Sequence, residues 1–260
     1  MREKRQKILV HAPGIGLAVI ALFIGHELGR QAGAALLKPV IGLMKGLTDP
    51  VVGLLMGHTA ENLAWQFGIN RQQMDAFAVQ SHQRALAAQH AGYLAEIVPL
   101  VDAAGRIYAA DDGVRADANL AGMAKPKPFF DKKYGQITAA NSSQITDGAA
   151  WVLLASEAAV EQWGLKPLGR IIDSEWAGLA PETMGLGPVH AAMPILKRNG
   201  LNLNDIDYWE INEAFAAQVL ACRAAWQDDA YCREHLGLDA AFGAIPDERL
   251  NVDGGAVSIG

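Results

Sequence analysis
YWEINEAFAAQ, residues 208–218, changes its hydrophobic period in the middle. DIDYWEIN (205–212) reads as a buried strand, and AFAAQVLACRAAW (214–226) as an apolar helix that follows at once. A strand feeding directly into a helix is the repeating unit of an α/β layer. Ligand groups collect at the carboxyl ends of strands in such layers, which is where Asn212 and Glu213 stand. Two roles are open to Asn212. It caps the helix by accepting the backbone N–H groups near Phe215, or its neutral amide orients a water or a developing oxyanion. Glu213 falls in the first helical turn, where the dipole favours a carboxylate. A buried acid–base role is also open to it.

The same alternation extends both ways from this stretch. AAWVLLAS (149–156) and LGRIIDSEWAG (168–178) read as strands, and EAAVEQWG between them as a helix closed by Gly164. PVHAAMPILKRNG reads as a helix with Pro188 at its start, a kink at Pro194 and Gly200 past its end. RLNV (249–252) is a last strand. The final stretch, LNVDGGAVSIG (250–260), gives a tight turn with positive φ at Gly254 and Gly255, then a second apolar segment. Together these imply a largely parallel sheet. Towards the N-terminus, residues 8–37 read as helical with glycine interruptions. Thr59 caps a helix running to Phe67, with Gly68 beyond it. Asn70 and Gln73 form a capping box for a helix whose stripe is Met74, Phe77, Ala78, Ala85 and Ala88, stopped by Gly92. IVPLV (97–101) is a short strand, and 102–136 is irregular and polar.

The 260 residues are 51% hydrophobic, enough for a substantial core. A net charge of −6 without a Lys/Arg stripe argues against nucleic acid as a partner. The basic MREKRQK and the apolar GIGLAVIALFIG (14–25) imitate a secretory leader. The run is too short to span a bilayer, and His26, Glu27 and Arg30 follow at once, so the reading is a helix inside a soluble protein with no membrane partner. Cys222 and Cys232, outside any CxxC, signal neither zinc nor a redox pair and suit a reducing, cytoplasmic compartment.

Other candidates are weaker by themselves. Asn141, Ser142 and Ser143 in ITAANSSQ either turn the chain by binding their own backbone or line a pocket. TMGLGP (183–188) precedes a helix but is not a complete GxGxxG. The seven histidines show no metal-ligand spacing, so no metal is expected. His82 and His90 read as solvated; His58 either faces a cleft or, as is the default for each histidine, is structural or on the surface. Cys222 reads as a small core residue, and Cys232 is not presented by any glycine turn.

Taken in order, MGHTAENLA (56–64), RQQMDAFAVQSHQRA (71–85), EIVPL (96–100), KPFFDKKYGQITAANSSQITDGAA (127–150), PLGRI (167–171), MGLGPVHA (184–191), EINEAFAAQ (210–218) and LNVDGGAVSIG (250–260) resemble the thiolase family over about residues 39–260. Thiolases are acyl-CoA C-acyltransferases that make or cleave 3-ketoacyl-CoA. The resemblance implies an α/β fold of two βαβαβ halves with an inserted loop domain. Residues 1–38 would be a divergent remnant of the N-terminal half, 39–136 the loop domain and 137–260 most of the C-terminal half. It implies acyl-CoA and CoA as substrates, no permanently bound cofactor, and a homo-oligomer.

Carried over residue by residue, Asn212 would hold the oxyanion-hole water. Ala214 and Phe215 would line the pantetheine channel, and Ser143 would touch the pantetheine arm. Met56 and Met184 would border the acyl pocket. Gly254 and Gly255 would shape the turn that presents the family's catalytic histidine. Leu55 stands where short-chain members commonly have histidine, which leaves room for a longer acyl chain. Neither the His-Pro that follows GGAxxxG nor the Cys-x-Gly-Gly-Gly motif occurs in these residues, and no nucleophilic cysteine motif does. The expectation is a chain incomplete at both ends and inactive alone. The alternative is a non-catalytic CoA-binding or subunit-interaction protein.

Overall fold
The computed structural model describes residues 7–9, 42 and 45–260. Two helices, α1 (Met56–Gln66) and α2 (Arg71–His90), follow β1 (Lys7–Leu9). A small hairpin pairs β2 (Leu100–Val101) antiparallel with β3 (Ile107–Tyr108). Then come α3 (Leu120–Met123), α4 (Glu157–Trp163), a 3-10 turn (Pro181–Leu186), α5 (Gly187–Arg198), β4 (Tyr208–Glu210), α6 (Ala216–Gln227), α7 (Asp229–Leu236) and α8 (Ala256–Ile259). β1 pairs in parallel with β4, and Trp209 of β4 also bridges Leu250 in parallel.

The core forms around β4 and α6. Leu63, Met74, Leu186, Leu196, Trp209, Trp226 and Leu250 are all at most 1% exposed. The rings of Trp209 and Trp226 pack 5.6 Å apart, and the Trp209 indole N–H donates to the Leu203 carbonyl. Ala216, Ala217, Ala221 and Ala225 give α6 a small-residue surface, so neighbouring elements approach it closely. α1, α2, α5, α7 and the 3-10 turn all pack on it.

Local chemistry explains most of the helix boundaries. The Asn70 side chain accepts from the Gln73 N–H, and the Gln73 side chain accepts from the Asn70 N–H. The apolar stripe of α2 is buried as its spacing requires, and Gly92 follows the helix at φ 71°. Gly164 closes α4 in the left-handed region, where a side chain would be strained. α5 starts at Gly187 with Pro188 in its first turn and continues through Pro194 to Arg198.

Several expectations change. Thr59 does not cap α1; it lies within the helix and donates to the Met56 carbonyl, and Leu55 takes the cap position without a side-chain bond. Of the expected helix over 8–37, Ile8 and Leu9 belong to β1, and 10–37 lie outside the described residues. The apolar run 14–25 is among these. IVPLV contributes only Leu100 and Val101 to a ladder, and its partner Ile107–Tyr108 emerges from the stretch read as irregular. RLNV supplies one bridging residue, Leu250, because Asn251 turns left-handed at φ 44° and ends the extended run.

AAWVLLAS and LGRIIDSEWAG belong to no ladder among the described residues. Trp151 is 93% exposed, and Leu153 and Leu168 are likewise exposed. A strand needs a neighbour to take its backbone N–H and C=O groups, and none lies beside these segments among the described residues. No helix among the described residues is long and apolar enough to cross a membrane.

Two outcomes follow from this packing. Asn70→Ala should lower unfolding free energy by about 1 kcal/mol, read from urea denaturation, because the Gln73 N–H loses its side-chain acceptor. The exposed apolar run should drive self-association, so Trp151→Lys with Leu153→Lys should lower light scattering at matched protein concentration.

Candidate functional site
A backbone clamp forms first. Residues 141–143 run antiparallel to 214–216, bridged at Ser142 and Phe215. The Ser143 N–H donates to the Ala214 carbonyl and the Ala216 N–H to the Asn141 carbonyl, both at 2.9 Å. This pairing keeps Phe215 extended, so α6 begins at Ala216 with Phe215 as its uncapped N-cap. The capping role for Asn212 is therefore overturned. Asn212 is exposed and bonds to no other described residue. The clamp is tied to α2 as well. The Asn141 amide donates to Asp75, which pairs with Arg71, and Arg71 reaches the Met123 and Pro126 carbonyls. Asn141 also accepts the Thr138 N–H, and the Ser142 hydroxyl donates to the Thr138 carbonyl. The stretch therefore makes the local turn open to it, and it also holds a second segment.

Glu213 lies before α6, not in its first turn, and is 1% exposed. Its carboxylate accepts from the Ser81 hydroxyl at 2.6 Å, the Asn251 amide at 2.9 Å and the Val257 N–H at 3.2 Å. The Val257 bond puts it at the N-terminus of α8, where the positive end of the backbone suits a carboxylate. Asn251 is doubly used. Its amide pairs with both the N–H and the C=O of Ile211, and so extends β4 with a side chain in place of a strand. Gly255 has no room for a Cβ, which would collide with the Glu213 carboxylate. Gly254 sits at φ 90°, and a Cβ there would lie 2.6 Å from that of Ala85. Only Gly254 has the expected positive φ; Gly255, at φ −167°, is extended.

Aromatic rings form a wall beside the clamp. Phe215 packs edge-on against Phe130 at 5.9 Å, and Phe130 against His58 at 5.8 Å. A Cβ at Gly57 would strike the Phe130 ring. Met56 opens the helix carrying Gly57 and His58 and is half-buried. His58 Nδ1 is buried with no hydrogen-bond partner among the described residues. Met184 lies in the 3-10 turn that packs on both α1 and α6, and remains 37% exposed. Ser143 is half-buried, its hydroxyl donating to the Gln144 carbonyl.

Neither cysteine is placed to react. Both are fully buried and free. Burial pushes the Cys222 thiol up to about 12 and raises that of Cys232. His82 is buried, contrary to the expectation of a solvated face. Its Nδ1 accepts the Arg115 N–H, and burial, with Arg115 nearby, lowers its pKa. Among the described residues no group of His, Cys, Asp and Glu could hold a metal.

Sequence reading missed the partners of these groups. Ser81 and Ser258 share a hydrogen bond beside Glu213, yet lie 177 residues apart. Glu61 is buried and accepts the Gln136 and Ile137 N–H groups, holding the loop that carries Phe130. Its one signal is an acid amid the apolar positions of MGHTAENLA.

Burial is the main cause that raises the Glu213 pKa, against the opposing hydrogen bonds from Ser81, Asn251 and Val257. A carboxyl whose folded pKa is raised adds stability that is fully present below its ordinary 4.5 and is lost as pH rises through the folded value. Glu213→Gln cannot ionise. Urea unfolding midpoints across pH 4 to about 8 should therefore shift in favour of the variant relative to the parent as pH rises. A difference independent of pH would show that this carboxyl does not titrate as burial requires.

Two family descriptions match the chain: "Thiolase, N-terminal domain" over residues 28–158 and "Thiolase, C-terminal domain" over 165–260. Peroxisomal 3-ketoacyl-CoA thiolase B of Rattus norvegicus is 44% identical over 214 residues, which are 79% of this chain and 46% of the rat protein. The crystal structure of human mitochondrial 3-ketoacyl-CoA thiolase in complex with CoA superposes with a TM-score of 0.72 at 39% identity, covering 84% of this chain and 51% of that one. The dimeric peroxisomal thiolase of Saccharomyces cerevisiae gives 0.69 at 39% identity, covering 80% and 49%. The chain spans about half the length of the relatives it matches. With both domain descriptions matched in order and identities near 40%, this chain belongs to the thiolase family.

Proposed function
We propose that the chain carries part of an acyl-CoA site and serves acyl transfer on acyl-CoA and 3-ketoacyl-CoA thioesters. The observation that supports this best is the exposed Asn212 amide, standing beside a backbone pinned on one side by Ser143 and on the other by Asn251. In acyl transfer, a thiolate attacks the thioester carbonyl and negative charge gathers on its oxygen. A water held by the Asn212 amide donates to that oxygen. A fixed donor at a developing oxyanion is worth roughly 3 kcal/mol of barrier. Ser143, Ala214 and Phe215 line the pantetheine arm of CoA, and Met56 and Met184 border the acyl end. Gly254 and Gly255 shape the turn at which the family presents its catalytic histidine. The loop domain is assigned to 39–136 and the C-terminal part to 137–260.

The thiolate is the step these residues do not supply. Cys222 and Cys232 are the chain's only cysteines, and both are buried with raised pKa values. A thiol in that state is not a nucleophile at neutral pH. That same observation favours a second reading, in which the 260 residues bind CoA or another subunit without turnover. Homo-oligomeric assembly and a reducing, cytoplasmic setting, suited to two free thiols, complete the proposal.

Two measurements test it. Purified protein titrated with CoA in a calorimeter should release binding heat; none at millimolar ligand would reject the site. The same protein incubated with 3-ketoacyl-CoA and CoA should show no thiolysis above blank, and turnover would overturn the assignment of both cysteines as inert.

A further inference from the structure
We propose that Gln218, acting with Cys222 and Asn62, is a specificity-positioning residue that pins the Met184–Gly185 turn and thereby sets the acyl length the site accepts. This rests on the reading of Met184 as a wall of the acyl pocket. Gln218 and Cys222 lie one turn apart on α6, and both are buried. The Gln218 amide and the Cys222 thiol each donate to the Gly185 carbonyl at 3.3 Å. Two donors thus converge on one carbonyl next to Met184. Gly185 admits no side chain, since a Cβ would lie 2.8 Å from both Gln218 Cγ and Leu63 Cδ1. On the other side of Met184, the exposed Asn62 donates to the Glu182 carbonyl at 3.3 Å. The backbone is therefore held both before and after Met184, although Thr183 breaks helical geometry between them at φ −124°.

The orientation of the Gln218 amide is fixed by chemistry. A carbonyl only accepts, so the amide nitrogen must face Gly185. The amide oxygen is then buried with no donor among the described residues. A side chain kept in that arrangement serves its donor end, because an unsatisfied buried acceptor is costly. Nothing in filling space requires an amide here; methionine has similar length and no donor.

The test uses the full chain and its Gln218→Met and Asn62→Ala variants, titrated with CoA, butyryl-CoA and decanoyl-CoA. Releasing the turn should raise the relative affinity for decanoyl-CoA over butyryl-CoA by about 3- to 10-fold, the loss of one or two hydrogen bonds read as affinity. Affinity for CoA alone should stay within about twofold. A generally structural role would weaken all three ligands together and leave the ratio unchanged, which would overturn the proposal. Asn62 is on the surface, so its variant decides the matter if Gln218→Met does not fold. If the parent chain binds no CoA, the reading of the site fails. Hydrogen exchange then judges the pinning separately: the peptide spanning 181–187 should exchange faster in either variant, and an unchanged rate would sink it.

Discussion
The burial of one carboxylate organises this structure. Glu213 ends the segment that follows β4, and it lies out of reach of solvent. A carboxylate there is tolerated only if donors surround it. The donors come from Ser81 on α2 and from Asn251 and Val257 in the final stretch, two regions far apart in the chain. Satisfying Glu213 therefore forces α2, the Asn251 turn and the start of α8 to converge on the end of β4. The lack of a Cβ at Gly255 and the left-handed Asn251 are consequences of that convergence.

The site inherits its rigidity from the same point. On one side of the 211–216 segment, Asn251 replaces a strand by pairing with Ile211. On the other, Asn141 and Ser143 pair with Ala216 and Ala214. Between these supports, Asn212 is left exposed. An amide used to orient a water or an oxyanion benefits from such a mount, since its position is set before any ligand arrives. The aromatic series His58, Phe130 and Phe215 ties the loop region to this mount through ring contacts. Glu61 holds the Phe130 loop from below by two backbone N–H groups.

Helix ends were legible because they depend on neighbours within four residues. Asn70 with Gln73, Gly164, and Pro188 each act locally, and each is where its chemistry places it. Strands were less legible. AAWVLLAS has the composition of a buried strand but finds no ladder partner among the described residues, and RLNV is cut short at Asn251. The capping role open to Asn212 fell for the same reason. Its helix starts later because Ala216 gives its N–H to Asn141, a residue 75 positions earlier.

By itself the sequence determined the helical stripes, the Asn70–Gln73 capping box, the inert placing of Cys222 and, through NEAFA and NxxGGAxxxG in order, the family. Those features are set by local spacing or by motifs whose joint occurrence is too specific to arise by accident. Only the tertiary structure decided that Glu213 is a buried hub, that His82 is enclosed, that Asn251 stands in for a strand, and that Gln218 grips Gly185. Each of these depends on contacts between residues tens to hundreds of positions apart. The partners of a buried polar group are chosen by how helices pack, and no local pattern encodes that choice.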